Sequence, residues 1–239
     1  MTKDEAAGFS RRFEKSPPQE LLAWALSTFG RRAALAWSGA EDVAVLDMMW
    51  RIDPKSTRVF TLDTGRLNPE TYELIDEVRS KYGLEVEVVF PDRAAVEAMV
   101  REKGMNLFYR SLENRKECCG VRKVEPLGRA LAGLEAWITG LRRSQSGTRG
   151  KLEKVELDPV HGGIAKLNPL ADWSAAEVFD YLKANGVPTN KLHAQGYPSI
   201  GCAPCTRAVK PGEDERAGRW WWESADTKEC GLHPGPWNR

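Results

Sequence analysis

Short apolar runs alternate with helical patterns from about residue 33 to residue 140, and this alternation constrains the fold more than any other feature of the chain. The runs lie at Ala33–Trp37, Arg58–Leu62, Val86–Phe90 and Ala136–Thr139, and a polar or glycine-containing turn follows each one. Runs of this length suit buried strands better than helices. Strands that alternate with helices predict an α/β fold, in which helices cover both faces of a mostly parallel sheet.

Two helix boundaries can be read from capping residues. Asn68 and Pro69 suit the N-cap and the first position of a helix that Gly83 ends. Ser174, followed three residues later by Glu177, forms a capping-box pattern. We therefore predict helices that begin at these two points.

The C-terminal part of the chain shows no clear periodicity. Beyond Gly196 it is rich in Gly, Pro, Trp and Arg, so we expect residues 1–239 to form a single domain whose segment 196–239 is irregular. We interpret the run Trp220–Trp222 as packing for this segment, although a stacking platform for a base is an alternative.

The charge balance indicates neither a nucleic-acid nor a membrane partner. The 239 residues contain 35 Lys and Arg against 34 Asp and Glu, a formal net charge of +1. No apolar stretch approaches the roughly 20 residues that a membrane-spanning helix needs, and the polar first residues contain no signal-peptide core. We expect a cytoplasmic protein that binds neither nucleic acid nor membrane. Assembly into a homo-oligomer stays open as an alternative to a monomer.

Polar loops follow three of the predicted strands at their carboxyl ends, where open α/β sheets bind ligands. These loops are Ser38–Asp42, Leu62–Arg66 and Thr139–Arg143. In the first loop, Gly39 lets the backbone approach a phosphate and Ser38 can donate a hydroxyl hydrogen bond. Glu41 and Asp42 would repel an anion, so cations must come from elsewhere. The alternative is an ordinary strand-to-helix turn.

Cationic side chains are available for this purpose at several points of the chain. They include Arg122, Lys123, Arg142, Arg143, Arg149, Arg207, Arg216 and Arg219. Guanidinium groups match phosphate and sulfate oxygens in pairs. Any single one could be an ordinary surface charge, but as a set they predict a small polyanionic ligand.

Four of the five cysteines lie in two close pairs, Cys118-Cys119 and Cys202-x-x-Cys205. Four thiolates suit either a tetrahedral zinc site or an iron–sulfur cluster. Two adjacent cysteines cannot easily turn both sulfurs to one small ion, whereas a cluster offers separate corners, and this favours the cluster. Zinc and buried or redox-paired thiols remain alternatives.

The fifth cysteine, Cys230, stands apart from these pairs. Lys228 and His233 flank it and could lower the pKa of its thiol, and the thiolate is the reactive form. The Gly and Pro residues around it suit a segment that moves one sulfur between a substrate and a second protein. The alternative is an incidental free cysteine.

The chain resembles, in seven motifs taken together, the cluster-containing bacterial type of assimilatory adenosine 5′-phosphosulfate reductase, within the phosphoadenosine phosphosulfate reductase family. The motifs are SGAEDV (Ser38–Val43), LDTGR (Leu62–Arg66), Cys118-Cys119, ITGLRRSQS (Ile138–Ser146), GCAPCTR (Gly201–Arg207), ERAGRWWW (Glu215–Trp222) and KECGLH (Lys228–His233). The resemblance implies an adenine-nucleotide hydrolase-like fold with a modified pyrophosphate loop.

The resemblance also implies a role for each candidate site residue. Cys118, Cys119, Cys202 and Cys205 would hold a [4Fe–4S] cluster. Cys230 would attack the sulfate sulfur of adenosine 5′-phosphosulfate, release AMP and form an S-sulfocysteine, from which a separate thioredoxin liberates sulfite. The substrate-binding residues would be Ser38, Gly39, Ala40, Glu41, Asp42, Leu62, Asp63, Thr64, Gly65, Lys123, Arg142, Arg143, Arg216 and Arg219.

Three other functions stay open beside this one. The substrate could carry a 3′-phosphate, as in 3′-phosphoadenosine 5′-phosphosulfate. A pyrophosphate-loop enzyme that thiolates RNA could also carry a cluster, but the neutral charge and the absence of an RNA-binding extension count against it. A nucleotide-binding redox sensor, whose cluster gates a partner protein, would tolerate the loss of Cys230.

Overall fold

A computed structural model of the chain describes residues 1–146, 149–224, 228 and 231–232. The helices in these residues are α1 (Lys3–Phe13), α2 (Pro18–Phe29), α3 (Val43–Ile52), α4 (Pro69–Tyr82), α5 (Arg93–Lys103), α6 (Leu112–Cys119), α7 (Glu125–Leu131) and α8 (Ala175–Ala184). The strands are β1 (Ala33–Ala36), β2 (Val59–Leu62), β3 (Val86–Val89), β4 (Ala136–Ile138), β5 (Val155–Asp158) and β6 (Ile164–Leu167).

The six strands form one sheet in the order β3-β2-β1-β4-β6-β5. Strand β1 is parallel to β2 and β4, β4 is parallel to β6, and β5 pairs with β6 in the antiparallel direction. The central strands are buried on both faces, since the consecutive residues Ala34 and Leu35 of β1, and Trp137 and Ile138 of β4, all have 0 % exposure, as expected where helices cover a parallel sheet. The predicted α/β fold with a mostly parallel sheet is confirmed.

The four strands expected from apolar runs are all present, each within one residue of its predicted bounds. The strands β5 and β6 were not expected, because a charged residue interrupts each of their apolar patterns. These two residues, Glu156 and Lys166, are cross-strand partners, and the Lys166 Nζ lies 2.8 Å from a Glu156 carboxylate oxygen. The ion pair lets a charged residue occupy the interior of each strand.

Both predicted helix starts are confirmed. Helix α4 begins at Pro69, and Gly83 follows its last residue with φ of +60°, a conformation that favours glycine. At the start of α8, the Ser174 Oγ accepts the Glu177 backbone N–H, and the Glu177 carboxylate accepts the Ser174 N–H in return. This is the reciprocal pair of bonds that defines a capping box.

The chain divides into two compact units. The first comprises Met1–Thr61, Pro69–Glu87 and Gly133–Lys191, and the second comprises Leu62–Asn68, Val88–Ala132 and Leu192–Arg239. Among the described residues, the first unit contains most of the sheet and a large apolar core, whereas the second has a small core of four buried apolar side chains and three cysteines. A single domain over residues 1–239 stays a prediction.

The described part of segment 196–239 contains little regular secondary structure. It contains a short 3₁₀ helix at Ala203–Cys205 and an isolated bridge between Thr206 and Arg219. Within the portions of the chain that the structure covers, no helix combines the length and the apolarity needed to span a membrane.

Candidate active site

The second unit brings all four paired cysteines into one apolar cluster. Cys119, Cys202 and Cys205 are buried and Cys118 is half-buried, and none of the four forms a disulfide. Helix α6 ends with the first pair, and the Cys205 N–H donates to the Cys202 carbonyl in the turn that holds the second pair. The two pairs, far apart in the sequence, therefore share one core.

A turn of π-helix, Gly120–Val124, connects α6 to α7 and places two cations beside the cysteines. Single π turns inside α-helices are frequent at functional sites. Arg122 and Lys123 lie on this turn, and both are buried at 8 % exposure. The Arg122 Nη1 donates to the Thr64 carbonyl at 2.7 Å, which connects this turn to the loop after β2.

The cationic surroundings act most strongly on Cys202. Burial opposes ionisation of this thiol, but Lys123, a hydrogen bond with the Thr64 hydroxyl at 3.2 Å and Arg219 together hold its pKa below the ordinary value. Burial and the neighbouring Cys202 raise the pKa of Cys205 to about 12. The surrounding cations thus make Cys202 easier to ionise than an ordinary thiol.

Arg219 is buried against the loop that carries the second cysteine pair. Its Nη1 donates to the Ile200 carbonyl at 2.9 Å and to the Ser199 hydroxyl at 3.3 Å. Its guanidinium packs directly over Gly201, where an added Cβ would lie 2.4 Å from Nη2. Gly201 is therefore required for the arginine to approach the cysteines so closely.

The four cysteine side chains in this apolar core are suitable ligands for an iron–sulfur group. The four cysteines lie together among cations, which offset the negative charge that thiolate ligands would bring. The Trp220 indole N–H is buried without a hydrogen-bond partner in the described residues, and a sulfur of a bound cluster could accept it. Among those residues, no three or more His, Cys, Asp or Glu side chains are arranged to hold a single metal ion.

The loop after β1, in the first unit, is tightly organised around Asp42. The Asp42 carboxylate accepts the backbone N–H groups of Ser38 at 2.7 Å and Ala40 at 3.2 Å. Gly39 has φ of +77°, and a Cβ there would lie 2.6 Å from the Thr71 methyl group. Burial is the main cause that raises the pKa of Asp42 to about 7, and the neighbouring Glu41 adds to it.

The loop after β4 packs against this first loop. A Cβ on Gly140 would lie 2.2 Å from the Asp42 Cβ, so only glycine fits at that position. The Arg142 Nη2 donates to a Glu41 carboxylate oxygen at 3.0 Å, and both side chains are almost fully buried. Glu41 therefore holds Arg142 rather than facing a ligand as an unpaired anion.

The neighbouring Arg143 is held by the N-terminal part of the chain. Its Nη1 and Nη2 donate to the two carboxylate oxygens of Glu14 at 2.6 and 2.8 Å, and its Nε donates to the Leu152 carbonyl. The first unit thus brings together the predicted residues of the loops after β1 and β4.

The remaining predicted substrate-binding residues lie in the second unit. In the loop after Leu62, the Asp63 carboxylate accepts the Gly65 N–H at 2.7 Å, and Thr64 contacts Cys202. Thr64, Lys123 and Arg219 thus lie around the cysteines. Arg216 donates from Nη2 to the Lys228 carbonyl at 2.7 Å. The predicted nucleophile Cys230 and its neighbour His233 lie outside the described residues.

Several residues that organise these loops carried no signal in the sequence. Asn190 is buried, and its amide donates to the Gly39 carbonyl at 2.8 Å. Glu14 holds Arg143, and Glu223 forms an ion pair with Arg115. Each is distant in sequence from its partner and stands in no motif. The interpretation of the tryptophan run as packing holds for Trp220 and Trp222, which contact the cysteine core.

Comparison with known proteins places these features in a family. A model of the phosphoadenosine phosphosulfate reductase domain matches residues 32–208. The chain is 62% identical over 175 residues to an adenosine 5′-phosphosulfate reductase of Burkholderia cepacia, which covers 73% of this chain and 70% of that protein. It is 51% identical over 234 residues to the chloroplastic 5′-adenylylsulfate reductase 3 of Arabidopsis thaliana, which covers 95% of this chain and 50% of that protein. The chain thus spans about half the length of this plant relative.

A solved structure shares the fold. The phosphoadenylyl-sulfate (PAPS) reductase of Candida auris, in a phosphate complex, aligns with a TM-score of 0.74 and 29% identity over 87% of this chain and 98% of that chain. The region that matches the family model contains both cysteine pairs and all three loops at the strand ends. On this evidence the chain belongs to the phosphoadenosine phosphosulfate reductase domain family.

Proposed function

We propose that this chain reduces adenosine 5′-phosphosulfate to sulfite and AMP, as an oxidoreductase of assimilatory sulfate reduction. The observation that carries the proposal is its 62% identity to a relative named adenosine 5′-phosphosulfate reductase. The four clustered cysteines and the buried cations around them support it independently.

The cysteines would hold a [4Fe–4S] cluster through Cys118, Cys119, Cys202 and Cys205. When bound, the cluster supplies charge beside Lys123 rather than electrons for the reduction. The chain's own contribution is to keep the sulfurs in one dry core and to surround them with N–H and ammonium groups.

The chemistry would proceed through Cys230. Its thiolate attacks the sulfate sulfur, a sulfur–sulfur bond forms, and the bond from sulfur to the AMP oxygen breaks, so that AMP leaves with the electron pair. One thiol of reduced thioredoxin then loses its proton and attacks the Cys230 sulfur, and sulfite leaves. The second thioredoxin thiol resolves the mixed disulfide, which restores Cys230 and leaves thioredoxin oxidised.

Cations must neutralise the sulfate oxygens before a thiolate can approach them. In the first unit, Arg142 and Arg143 are the candidates for this role, and their carboxylate partners fix their positions. In the second unit, Lys123, Arg216 and Arg219 are the candidates. We place the phosphate of the nucleotide at the glycine-containing loop Ser38–Asp42, whose turn Asp42 organises by accepting the Ser38 and Ala40 N–H groups.

The test is sulfite release by anaerobically purified protein with reduced thioredoxin, assayed with both sulfonucleotides in parallel. We expect iron in the protein and release of sulfite from adenosine 5′-phosphosulfate. The variant Cys230→Ser should fold, keep its iron and lose activity, and it should trap no labelled sulfur from labelled substrate. Cys202→Ser is the matched control, because it should lose iron and activity together.

Two outcomes would contradict the proposal. Protein that contains zinc but no iron would exclude the cluster. The absence of an added SO₃ group on the peptide that contains Cys230, when mass spectra are taken during turnover, would exclude the covalent intermediate.

A second candidate is the reduction of 3′-phosphoadenosine 5′-phosphosulfate. The likeness to the Candida auris PAPS reductase favours it. The same assay decides between them, since this candidate predicts faster sulfite release from the substrate that carries the 3′-phosphate.

A further inference from the structure

The second unit contains a buried ion pair that the proposed reaction does not use. Arg115 has 0 % side-chain exposure and its partner Glu223 has 8 %. The Arg115 Nε and Nη2 donate to the two carboxylate oxygens at 2.9 and 2.8 Å. A buried ion pair is by itself weak evidence for stability, because desolvation offsets its attraction. Its place in the fold is the more informative observation.

The arginine of the pair contacts the first cysteine pair. Arg115 precedes Cys119 by four residues on α6, so the two side chains lie on the same face of the helix. The Cys119 thiol lies near enough to the Arg115 guanidinium for the two side chains to interact. The guanidinium carbon also lies 4.6 Å from the centre of the Trp220 ring. The cation thus interacts with both a cysteine side chain and an aromatic face.

The carboxylate of the pair is connected to the second cysteine pair. The Glu223 N–H donates to the Trp220 carbonyl at 2.8 Å, and the Trp220 N–H donates to the Cys205 carbonyl at 3.0 Å. Trp220 has φ of +39°, in the left-handed region that bulky residues rarely adopt. Such a conformation persists only where the surroundings enforce it. Hydrogen bonds and the ion pair therefore link Cys205 to Cys119.

We propose that Arg115 and Glu223 are positioning residues for the bound cluster. Glu223 orients the Arg115 guanidinium, which donates to the Cys119 sulfur and holds the tandem cysteines of α6 to the loop of the second pair. This inference rests on the proposed function, in which the four cysteines hold a cluster. Hydrogen-bonding partners of metal ligands typically change metal affinity 10- to 100-fold when they are mutated.

Two variants separate this role from general stabilisation. Glu223→Gln keeps the shape of the side chain and removes its charge. Arg115→Met combined with Glu223→Leu removes both charges and keeps an apolar contact with Trp220. The matched control is Glu213→Gln, because Glu213 forms a similar two-bond pair with Arg207 in the same unit, at 2.9 and 3.0 Å.

The measurements use anaerobically purified, iron-loaded protein. They are the rate of iron loss to a chelator, the resonance Raman frequencies of the iron–sulfur bonds, and the thermal midpoint of the iron-free form. Both test variants should lose iron at least ~10-fold faster than the parent and show shifted frequencies, while Glu213→Gln behaves as the parent. The double variant should keep the parent's iron-free thermal midpoint, since apolar replacement of a buried pair is often neutral.

Iron loss at the parent's rate in the double variant would overturn the inference. Faster iron loss together with a lower thermal midpoint of the iron-free form would also overturn it. That result would mean that the ion pair only stabilises the fold. If the double variant does not fold, Glu223→Gln decides by the same criteria. A parent protein without iron would instead overturn the proposed function, and the inference with it.

Discussion

The buried residue Asp42 makes the free energy of unfolding depend on pH. Its carboxylate is buried in the loop after β1, where backbone N–H groups of Ser38 and Ala40 stabilise the ionised form only in part. Burial raises its pKa from the ordinary 3.8 to about 7. The folded protein therefore binds a proton at this group more tightly than the unfolded chain does.

The expected consequence is a pH-dependent contribution to the free energy of unfolding. The contribution of Asp42 is fully present below pH 3.8 and is lost as pH rises through about 7, with a total of at most ~4 kcal/mol. Asp42→Asn should remove this pH-dependent contribution. The variant should therefore become more stable relative to the parent as pH rises from 5 to 8. Urea unfolding at several pH values measures this difference. Parallel pH profiles of the two proteins would show that Asp42 is ionised throughout.

Only those residues of the candidate site that belong to motifs could be predicted from the sequence. The cysteine pairs were found because their spacing restricts the possible chemistry, and the structure places all four in one core. Glu14, Asn190 and Glu223 could not be found, because their side chains act through partners that are more than 100 positions away. Their residue types are common on any surface, so no local pattern distinguishes them.

At the level of elements, helix starts followed directly from local chemistry. The capping box of α8 forms because Ser174 and Glu177 satisfy each other's backbone N–H groups, whatever the helix packs against. Strands β5 and β6 were missed for the opposite reason. The partner that neutralises each interior charge comes from the other strand, and a single segment does not show it.

We expect Ser174→Ala to lower the free energy of unfolding by ~1 kcal/mol, because the N-cap acceptor for the Glu177 N–H is lost. Chemical unfolding of the two proteins measures the change. Ser80→Ala is the control, since Ser80 is exposed within α4 and caps no helix end. Equal effects of the two substitutions would mean that the cap does not stabilise α8.

At the level of the whole molecule, the two units differ in what their cores are made of. The first unit buries a large set of aliphatic and aromatic side chains around the sheet. Within the part of the second unit that the structure describes, the core is small, and three of its seven buried members are cysteines. Such a core has little apolar area to bury, so a bound metal group would contribute much of its folding free energy.

Removal of iron should therefore affect the two units unequally. We expect hydrogen–deuterium exchange to rise roughly tenfold or more in α6, α7 and residues 192–224, because metal binding and folding are coupled there. Amides of β1 and β4 should keep the protection they have in the iron-loaded protein. A uniform rise across both units would contradict this expectation.

The amino-acid sequence by itself determined the four apolar strands, the capped helix starts and the identity of the chemically distinctive residues. These features depend on spacing and on contacts between residues close together in the sequence. A short stretch of sequence is therefore enough to predict them. The tertiary structure alone decided that the two cysteine pairs share one core, that Glu41 and Glu14 hold the arginines of the loop after β4, and that Arg115 pairs with Glu223. Those contacts depend on the path of the whole backbone, because a buried charge selects whichever partner the fold brings within reach.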